Sequence, residues 1–246
     1  MINHWFFPTA GRVVLAVVYL FCACPFSTIS ADEFSRAETA LWLTNQLKTI
    51  SEPSTFTYKF QRSGSYDPDF EDTVRFNVTN VHEDGMKSAS VAFFSGARRV
   101  DVPAVDRTDV NPILKIFLQG DVYEMNRLTD VDGKFRERWR YFQRKIKLAL
   151  AESATIEETS VAFNGINYVA IAVSIQPFLD DQKLMSTTHL PVEMQMLYRG
   201  IANKSYRVVV SDQLPGFLYR IETTVPGRGN GDDPLIREVL QLVETP

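Results

Sequence analysis

A period of two in apolar and polar residues, which is typical of half-buried β-strands, is the main pattern along the chain. The alternation is clearest over residues 56–61, 74–78 and 89–93. Four later segments are also predicted to be strands: 155–163, 168–175, 206–210 and 217–225. These strands follow one another closely, so we expect most of them to pair as antiparallel neighbours.

Short glycine-containing turns separate several of these strands. Asp84-Gly85 and Asn164-Gly165 are pairs favoured in two-residue hairpin turns, where both central residues adopt positive φ. Pro215-Gly216 suits a type II turn, in which proline precedes a residue of positive φ. The sequence therefore predicts a meander of hairpins.

Helical spacing of apolar residues appears before, between and after the strands. Residues 33–50 are predicted to form a helix, because apolar side chains recur every three or four positions. Asn111 can cap a second helix that has Pro112 at its first position. A third helix is expected from about 134 to 152, and a short one near 191–198. The last segment, 235–243, fits either a helix or a strand.

This order of elements predicts an α+β fold. We expect a curved antiparallel β-sheet, resembling half of a barrel, with two to four helices packed on one face. No internal repeat or linker divides the sequence after its first 31 residues, so residues 32–246 are predicted to form a single domain.

The first 31 residues have the order of a secretory signal peptide. Arg12 precedes a mostly apolar run, which Pro25 and a short run of small and polar residues end. The apolar run is shorter than the ~20 residues that span a bilayer. We expect Sec-dependent export to the periplasm, cleavage after Ser30 or Ala31, and no transmembrane segment afterwards. An uncleaved anchor and a lipoprotein attached through Cys24 are the alternatives.

Composition narrows the classes of function. Both cysteines, Cys22 and Cys24, lie in the predicted signal, which excludes disulfides and thiol nucleophiles from the exported domain. The whole chain has 26 basic and 30 acidic residues, a balance that does not favour nucleic-acid binding. We expect no nucleic-acid partner and no cofactor.

Candidate catalytic and metal-binding residues are few. His82 and His189 are the only histidines after the predicted signal, and no Gly-x-Ser-x-Gly motif accompanies them. The acidic segments 67–72 and 130–133 resemble calcium loops, but the first has Asp72 and the second Phe135 where such a loop needs glycine. The sequence therefore predicts neither a catalytic residue nor a metal site.

The third predicted helix concentrates positive charge. Residues 134–147 contain seven basic residues and one acidic residue. At helical spacing, one face carries Phe135, Trp139, Phe142, Ile146 and Leu150. Another carries Arg136, Arg140, Arg144 and Lys147. This basic face is a candidate docking surface for anionic lipid or an acidic partner; the alternative is a core helix with a solvated basic side.

These observations favour an exported, non-enzymatic binding or interaction protein. Of the 17 phenylalanines in the chain, the 13 that follow the predicted signal could line an apolar pocket between sheet and helices, as a carrier of a lipid-like ligand requires. An envelope protein is the alternative partner. Two further readings stay open: a metal-independent hydrolase that uses carboxylates, and a structural component of an envelope complex.

Overall fold

An open antiparallel sheet is the main layer of the computed structural model, which describes residues 34–130, 138–187, 190–229 and 231–245. Its ten strands are β1 (Ser54–Ser63), β2 (Phe70–Val81), β3 (Lys87–Phe93), β4 (Val100–Asp101), β5 (Val105–Thr108), β6 (Thr155–Phe163), β7 (Ile166–Ile175), β8 (Ser205–Val210), β9 (Leu218–Val225) and β10 (Ile236–Glu244). Their order across the sheet is β4-β3-β2-β1-β10-β9-β8-β7-β6, and β5 also pairs with β3. The predicted signal peptide lies outside the described residues.

Helices cover one face of this sheet. They are α1 (Arg36–Glu38), α2 (Pro112–Thr129), α3 (Arg138–Glu152), α4 (Gln182–Met185) and α5 (Val192–Ala202), and a short π-helix, Thr39–Leu43, continues α1. Their apolar side chains share one continuous core with the inward side chains of the strands. The predicted α+β class, an antiparallel sheet with helices packed on it, is confirmed.

The alternation that predicted the strands corresponds to burial. Phe56, Tyr58 and Phe60 of β1 are at most 3% exposed, whereas the residues between them face the other side. The register places Phe56 opposite Phe76 of β2, with the two ring centroids 5.7 Å apart. Stacked aromatic pairs of this kind strengthen a sheet beyond simple area burial.

The predicted hairpin turns form, with one difference in geometry. Asn164 and Gly165 both have positive φ, at 48° and 76°, as a two-residue turn requires. At Asp84-Gly85 only the glycine does, with φ 83°, and its N–H donates to the carbonyl of His82. The N–H of His82 donates to the carbonyl of Met86 and closes a longer loop, and the Asp84 carboxylate also accepts from the N–H of Met86.

Helix α2 begins as predicted, but the predicted helix over 33–50 is wrong beyond Leu43. Asn111 accepts from the N–H of the residue after Pro112 and so caps α2. In the first helix, Thr44 turns to extended backbone. The N–H groups of Gln46 and Leu47 then donate to the carbonyl of Asp109 rather than continuing a helical ladder. A tertiary hydrogen bond has replaced the local one.

The segment left open by the sequence is a strand. β10 pairs with β1 on one side and β9 on the other. Ile236, Glu238, Leu240 and Leu242 form its buried face, and Val239 and Val243 lie on the other face, where only Val239 is buried. A charged residue on the buried face and two apolar residues on the other obscure the alternation in the sequence and explain the ambiguous pattern. The short strands β4 and β5 were not predicted.

Candidate functional site

A groove of about 580 Å³ lies between α2, α3 and the π-helix. Five apolar side chains line it: Trp42, Leu118, Val122, Ile146 and Leu150. The polar lining residues are Glu38, Lys115, Gln119, Gln143 and Lys147. Its volume is in the range of pockets that bind small molecules, and its mostly apolar wall with a few polar groups matches their usual chemistry.

Local hydrogen bonds fix the wall formed by α1 and the π-helix. Ser35 and Glu38 form a reciprocal capping box, in which each side chain accepts from the other residue's backbone N–H. The Ser35 hydroxyl also donates to the carbonyl of Leu150, at 2.9 Å, near the end of α3. These hydrogen bonds hold the start of the described chain against α3. Glu38 and Trp42 can therefore form the third wall of the groove.

Two lysines and one unsatisfied amide give the groove its polarity. Lys115 on α2 and Lys147 on α3 come from helices that face each other across it. The Glu38 carboxylate is engaged in the capping box. The buried Nε2 of Gln119 has no hydrogen-bond partner within the described structure. An unsatisfied buried donor is costly, so a ligand acceptor at this point would relieve it.

The predicted basic face is only partly described. Arg140, Arg144 and Lys147 are exposed on α3, and Lys147 also lines the groove. Arg136 lies outside the described residues. Angular spacing of about 100° per residue makes the three described side chains one stripe along a side of the groove. We call it the basic stripe.

The opposite face of α3 differs slightly from the expectation. Phe142, Ile146 and Leu150 are buried as predicted. Trp139 is only half-buried; its ring lies 6.1 Å from that of Tyr123 on α2. Phe135 lies outside the described residues.

A second, smaller cavity of about 210 Å³ lies between the sheet and the other side of α2. Five rings line it: Phe60, Phe70, Phe93, Phe94 and Phe117. The lining also includes one cation and three carboxyl groups, those of Arg62, Asp121, Glu124 and Glu238. We call it the phenylalanine cavity.

Buried ionic contacts form the polar end of this cavity. Asp121 accepts a hydrogen bond from Lys204 and another, at 2.7 Å, from the hydroxyl of Tyr206. The side chains of Asp121 and Lys204 are 1% and 4% exposed. Burial, and then the charge of Asp121, raise the pKa of Tyr206 well above its ordinary value, so this hydroxyl keeps its proton and remains a donor.

Arg62 joins three carboxylates at the same end. Its guanidinium lies 2.7 Å from Asp67, 3.0 Å from Glu124 and 3.2 Å from Glu238. Burial alone would raise the pKa of Glu124, but hydrogen bonds and charge from Arg127 and Arg62 lower it overall. The pKa of Glu238 is raised, chiefly by burial, and Asp121 adds to that effect.

His82, Ser88 and Asp106 are the residue types of a catalytic triad, but their hydrogen bonds connect them in a different order. The Nε2 of His82 lies 2.9 Å from the hydroxyl of Ser88, which also donates to Asp106 at 3.0 Å. In a triad the carboxylate holds Nδ1 of the histidine, whereas here the Nδ1 neighbour is the amide of Asn80, at 3.5 Å. This arrangement does not provide a relay. His189 lies outside the described residues.

Within residues 34–130, 138–187, 190–229 and 231–245, His, Cys, Asp and Glu side chains nowhere gather in a group of three that could hold a metal ion. No helix in the same ranges is both long and apolar enough to cross a membrane.

Sequence reasoning found Lys147 but missed most of the groove and the buried network. Lys115 and Gln119 belong to α2, which was predicted as a helix without a role for its polar residues. Lys204 lies two residues after α5 and looks like a solvated helix end. No local pattern marks Asp121 or Glu238 as buried, since Gly120 precedes the first and Arg237 the second.

Comparisons with known proteins identify little. No protein family and no curated protein matches the chain. Among solved structures, the chain is similar to a crystal structure of a LolA superfamily protein from Nitrosomonas europaea, at 8% sequence identity and a TM-score of 0.20. That match covers 85% of this chain and 92% of the other.

Proposed function

We propose that this protein is a non-enzymatic binding protein of the bacterial envelope, exported to the periplasm, and that its ligand is an anionic single-chain amphiphile such as a fatty acid. The acyl chain lies in the groove between α2, α3 and the π-helix. The acidic head group pairs with Lys115 and Lys147. The observation that carries this proposal is the combination of an apolar groove with two lysines on facing helices.

The unsatisfied amide supports the same ligand. A carboxylate between the two lysines offers acceptor oxygens to the Nε2 of Gln119, which has no partner in the described structure. A neutral hydrocarbon would leave that donor unsatisfied. The amide therefore favours an acid or an alcohol over an alkane of the same length, and the two lysines favour the acid over the alcohol.

The basic stripe supports delivery at an anionic membrane. Arg140, Arg144 and Lys147 are exposed, and each basic residue near an anionic surface contributes about 1 kcal/mol of attraction. The stripe borders the groove, so a bound membrane would lie beside the ligand's path of entry.

Binding of oleate and of neutral oleyl alcohol tests the ligand. Trp42 lines the groove, so its fluorescence reports occupancy. Replacing both lysines, Lys115→Gln with Lys147→Gln, should remove about 2 kcal/mol, or roughly 30-fold in oleate affinity, and leave oleyl alcohol unaffected. The matched control is Lys59→Gln with Arg75→Gln, a double variant on the other face of the sheet. Equal losses in both double variants, or no oleate binding by the parent, would refute the proposal.

Gln119→Leu separates a ligand contact from a structural role. It removes an unsatisfied buried donor and one long hydrogen bond, in which Gln119 Oε1 accepts from Gln143 at 3.5 Å. The unliganded protein should therefore keep its stability, while oleate affinity falls. A loss of stability without a loss of affinity would show that Gln119 serves the fold.

Membrane binding has its own test. Arg140→Gln with Arg144→Gln should weaken association with vesicles that contain anionic lipid, and added salt should have the same effect on the parent. Association with neutral vesicles should not change. If the variant binds anionic vesicles as the parent does, the stripe serves an acidic protein or none.

A further inference from the structure

The phenylalanine cavity combines aromatic walls with an acidic end. Its five rings come from β1, β2, β3, the residue after β3, and α2. Faces of aromatic rings carry negative potential, and cages of such rings are the usual receptors for alkylated ammonium ions. One of these rings already contacts a cation of the protein itself: the guanidinium of Arg98, which does not line the cavity, lies 4.4 Å from the centroid of Phe70.

The backbone at Phe94 is strained in a way that builds the cavity. Its φ is 66°, a region that a bulky side chain rarely occupies. This conformation packs the Phe94 ring against those of Phe60 and Phe93, at 4.7 Å and 4.6 Å between centroids. Strain of this kind persists where the surroundings hold it, and it is concentrated at ligand-binding sites.

The ionic network beside the cavity has one more carboxyl group than cations. Its contacts join four carboxyl groups, those of Asp67, Asp121, Glu124 and Glu238, to three cations, those of Arg62, Arg127 and Lys204. Asp67 and Arg127 are partly exposed to solvent, whereas Asp121 and Glu238 line the cavity and each pairs with one cation, Lys204 and Arg62. Excess negative charge in a partly buried network is unfavourable, so a proton or a bound cation would help to balance it.

We propose that the phenylalanine cavity is a binding site for a small organic ammonium ion, whose alkyl groups contact the five rings and whose charge lies toward Glu238 and Asp121. The volume of about 210 Å³ suits a ligand slightly larger than benzene, which fills a cavity of about 150 Å³. This site lies on the other side of α2 from the groove, and neither its ligand nor its lining depends on the proposed amphiphile.

Competition with a proton gives the site a distinct signature. The raised pKa of Glu238 reflects burial and the nearby Asp121 and Glu124, opposed by Lys204 and Arg62. An ammonium ion would compete with a proton for Glu238. Its affinity should therefore rise with pH through the range in which this carboxyl ionises, and binding within that range should release protons.

Calorimetric titration with choline and with 3,3-dimethyl-1-butanol, its uncharged carbon analogue, tests the proposal. Choline should bind at least tenfold more tightly, with proton release that shows as heat dependent on the buffer. Glu238→Gln should abolish the preference for the charged probe, whereas Glu244→Gln, an exposed carboxyl on the same strand, should preserve it.

Gly120→Leu provides a test that alters no charge. Gly120 lines the cavity, and a Cβ there would meet no atom within 4 Å, so the helix can accept the side chain. This side chain should obstruct the cavity and weaken choline binding at least tenfold, with the circular dichroism spectrum unchanged. Equal affinity for the two probes in the parent, absence of choline binding, or full choline binding by Gly120→Leu would overturn the proposal.

Discussion

Replacing Lys204 by methionine should expose how strongly the fold depends on its buried ion pair. Lys204 and Asp121 are almost inaccessible to solvent, and Asp121 has one other described partner, the hydroxyl of Tyr206. Methionine keeps most of the side-chain volume and removes the charge. The Asp121 carboxylate would then be buried without a cation.

The expected cost follows from that burial. Removing one partner of a buried ion pair destabilises a protein by about 3–5 kcal/mol, because the remaining charge is left uncompensated. For a chain of this size, about 2–4 °C per kcal/mol gives a lowering of Tm by roughly 6–20 °C. Urea titration should show the same loss with an unchanged slope.

Two comparisons make the result decisive. Lys48→Met removes an exposed partner of Asp212 and should cost less than about 1 kcal/mol. Adding Asp121→Asn to Lys204→Met should recover part of the loss, since the neutral amide can still accept from Tyr206. A loss below about 1 kcal/mol for Lys204→Met, or no recovery in the double variant, would refute the reasoning.

Three other variants test separate parts of the structure. Asn111→Ala removes the cap of α2 and a buried donor to the carbonyl of Gly216, so the free energy of unfolding should fall by about 2–4 kcal/mol in urea titration. Gly120→Ala should raise it by about 0.5–1 kcal/mol, because this helical glycine has open space around its Cβ position. Burial would raise the pKa of Glu222, but hydrogen bonds from two arginines lower it overall. This carboxylate therefore stabilises the fold above its ordinary pKa of 4.5. Glu222→Gln should be less stable than the parent at pH 7, and the difference should shrink as the pH falls below that value.

The strands could be predicted because each has one face in the core. Phe56, Tyr58 and Phe60 are buried, and the polar residues between them are not, so the period of two is visible in the sequence. β10 hides its period because Glu238 lies on its buried face, while Val239 and Val243 lie on the other. The first helix ends early because the carbonyl of Asp109, distant in sequence, takes its hydrogen bonds. The burial of β10 and the hydrogen bonds to Asp109 both depend on tertiary structure, which local periodicity does not reveal.

The sequence predicted only those residues of the candidate site that lie together on one helix. Arg140, Arg144 and Lys147 lie on α3, so their spacing reveals a common stripe. The groove needs Lys115 on α2 and Trp42 on the π-helix as well, and their proximity depends on tertiary packing. Lys204 meets Asp121 from 83 residues away, a pairing that no local pattern indicates.

The pairing of β1 with β10 has a consequence for how the chain reaches its native state. These strands are neighbours in the middle of the sheet, yet Phe60 pairs with Leu240, at opposite ends of the described sequence. Contacts between residues so far apart close large loops and slow folding. Until β10 is available, β1 and β9 each present an unpaired edge, which is prone to intermolecular association. A chain released without β10 should therefore aggregate rather than fold in part.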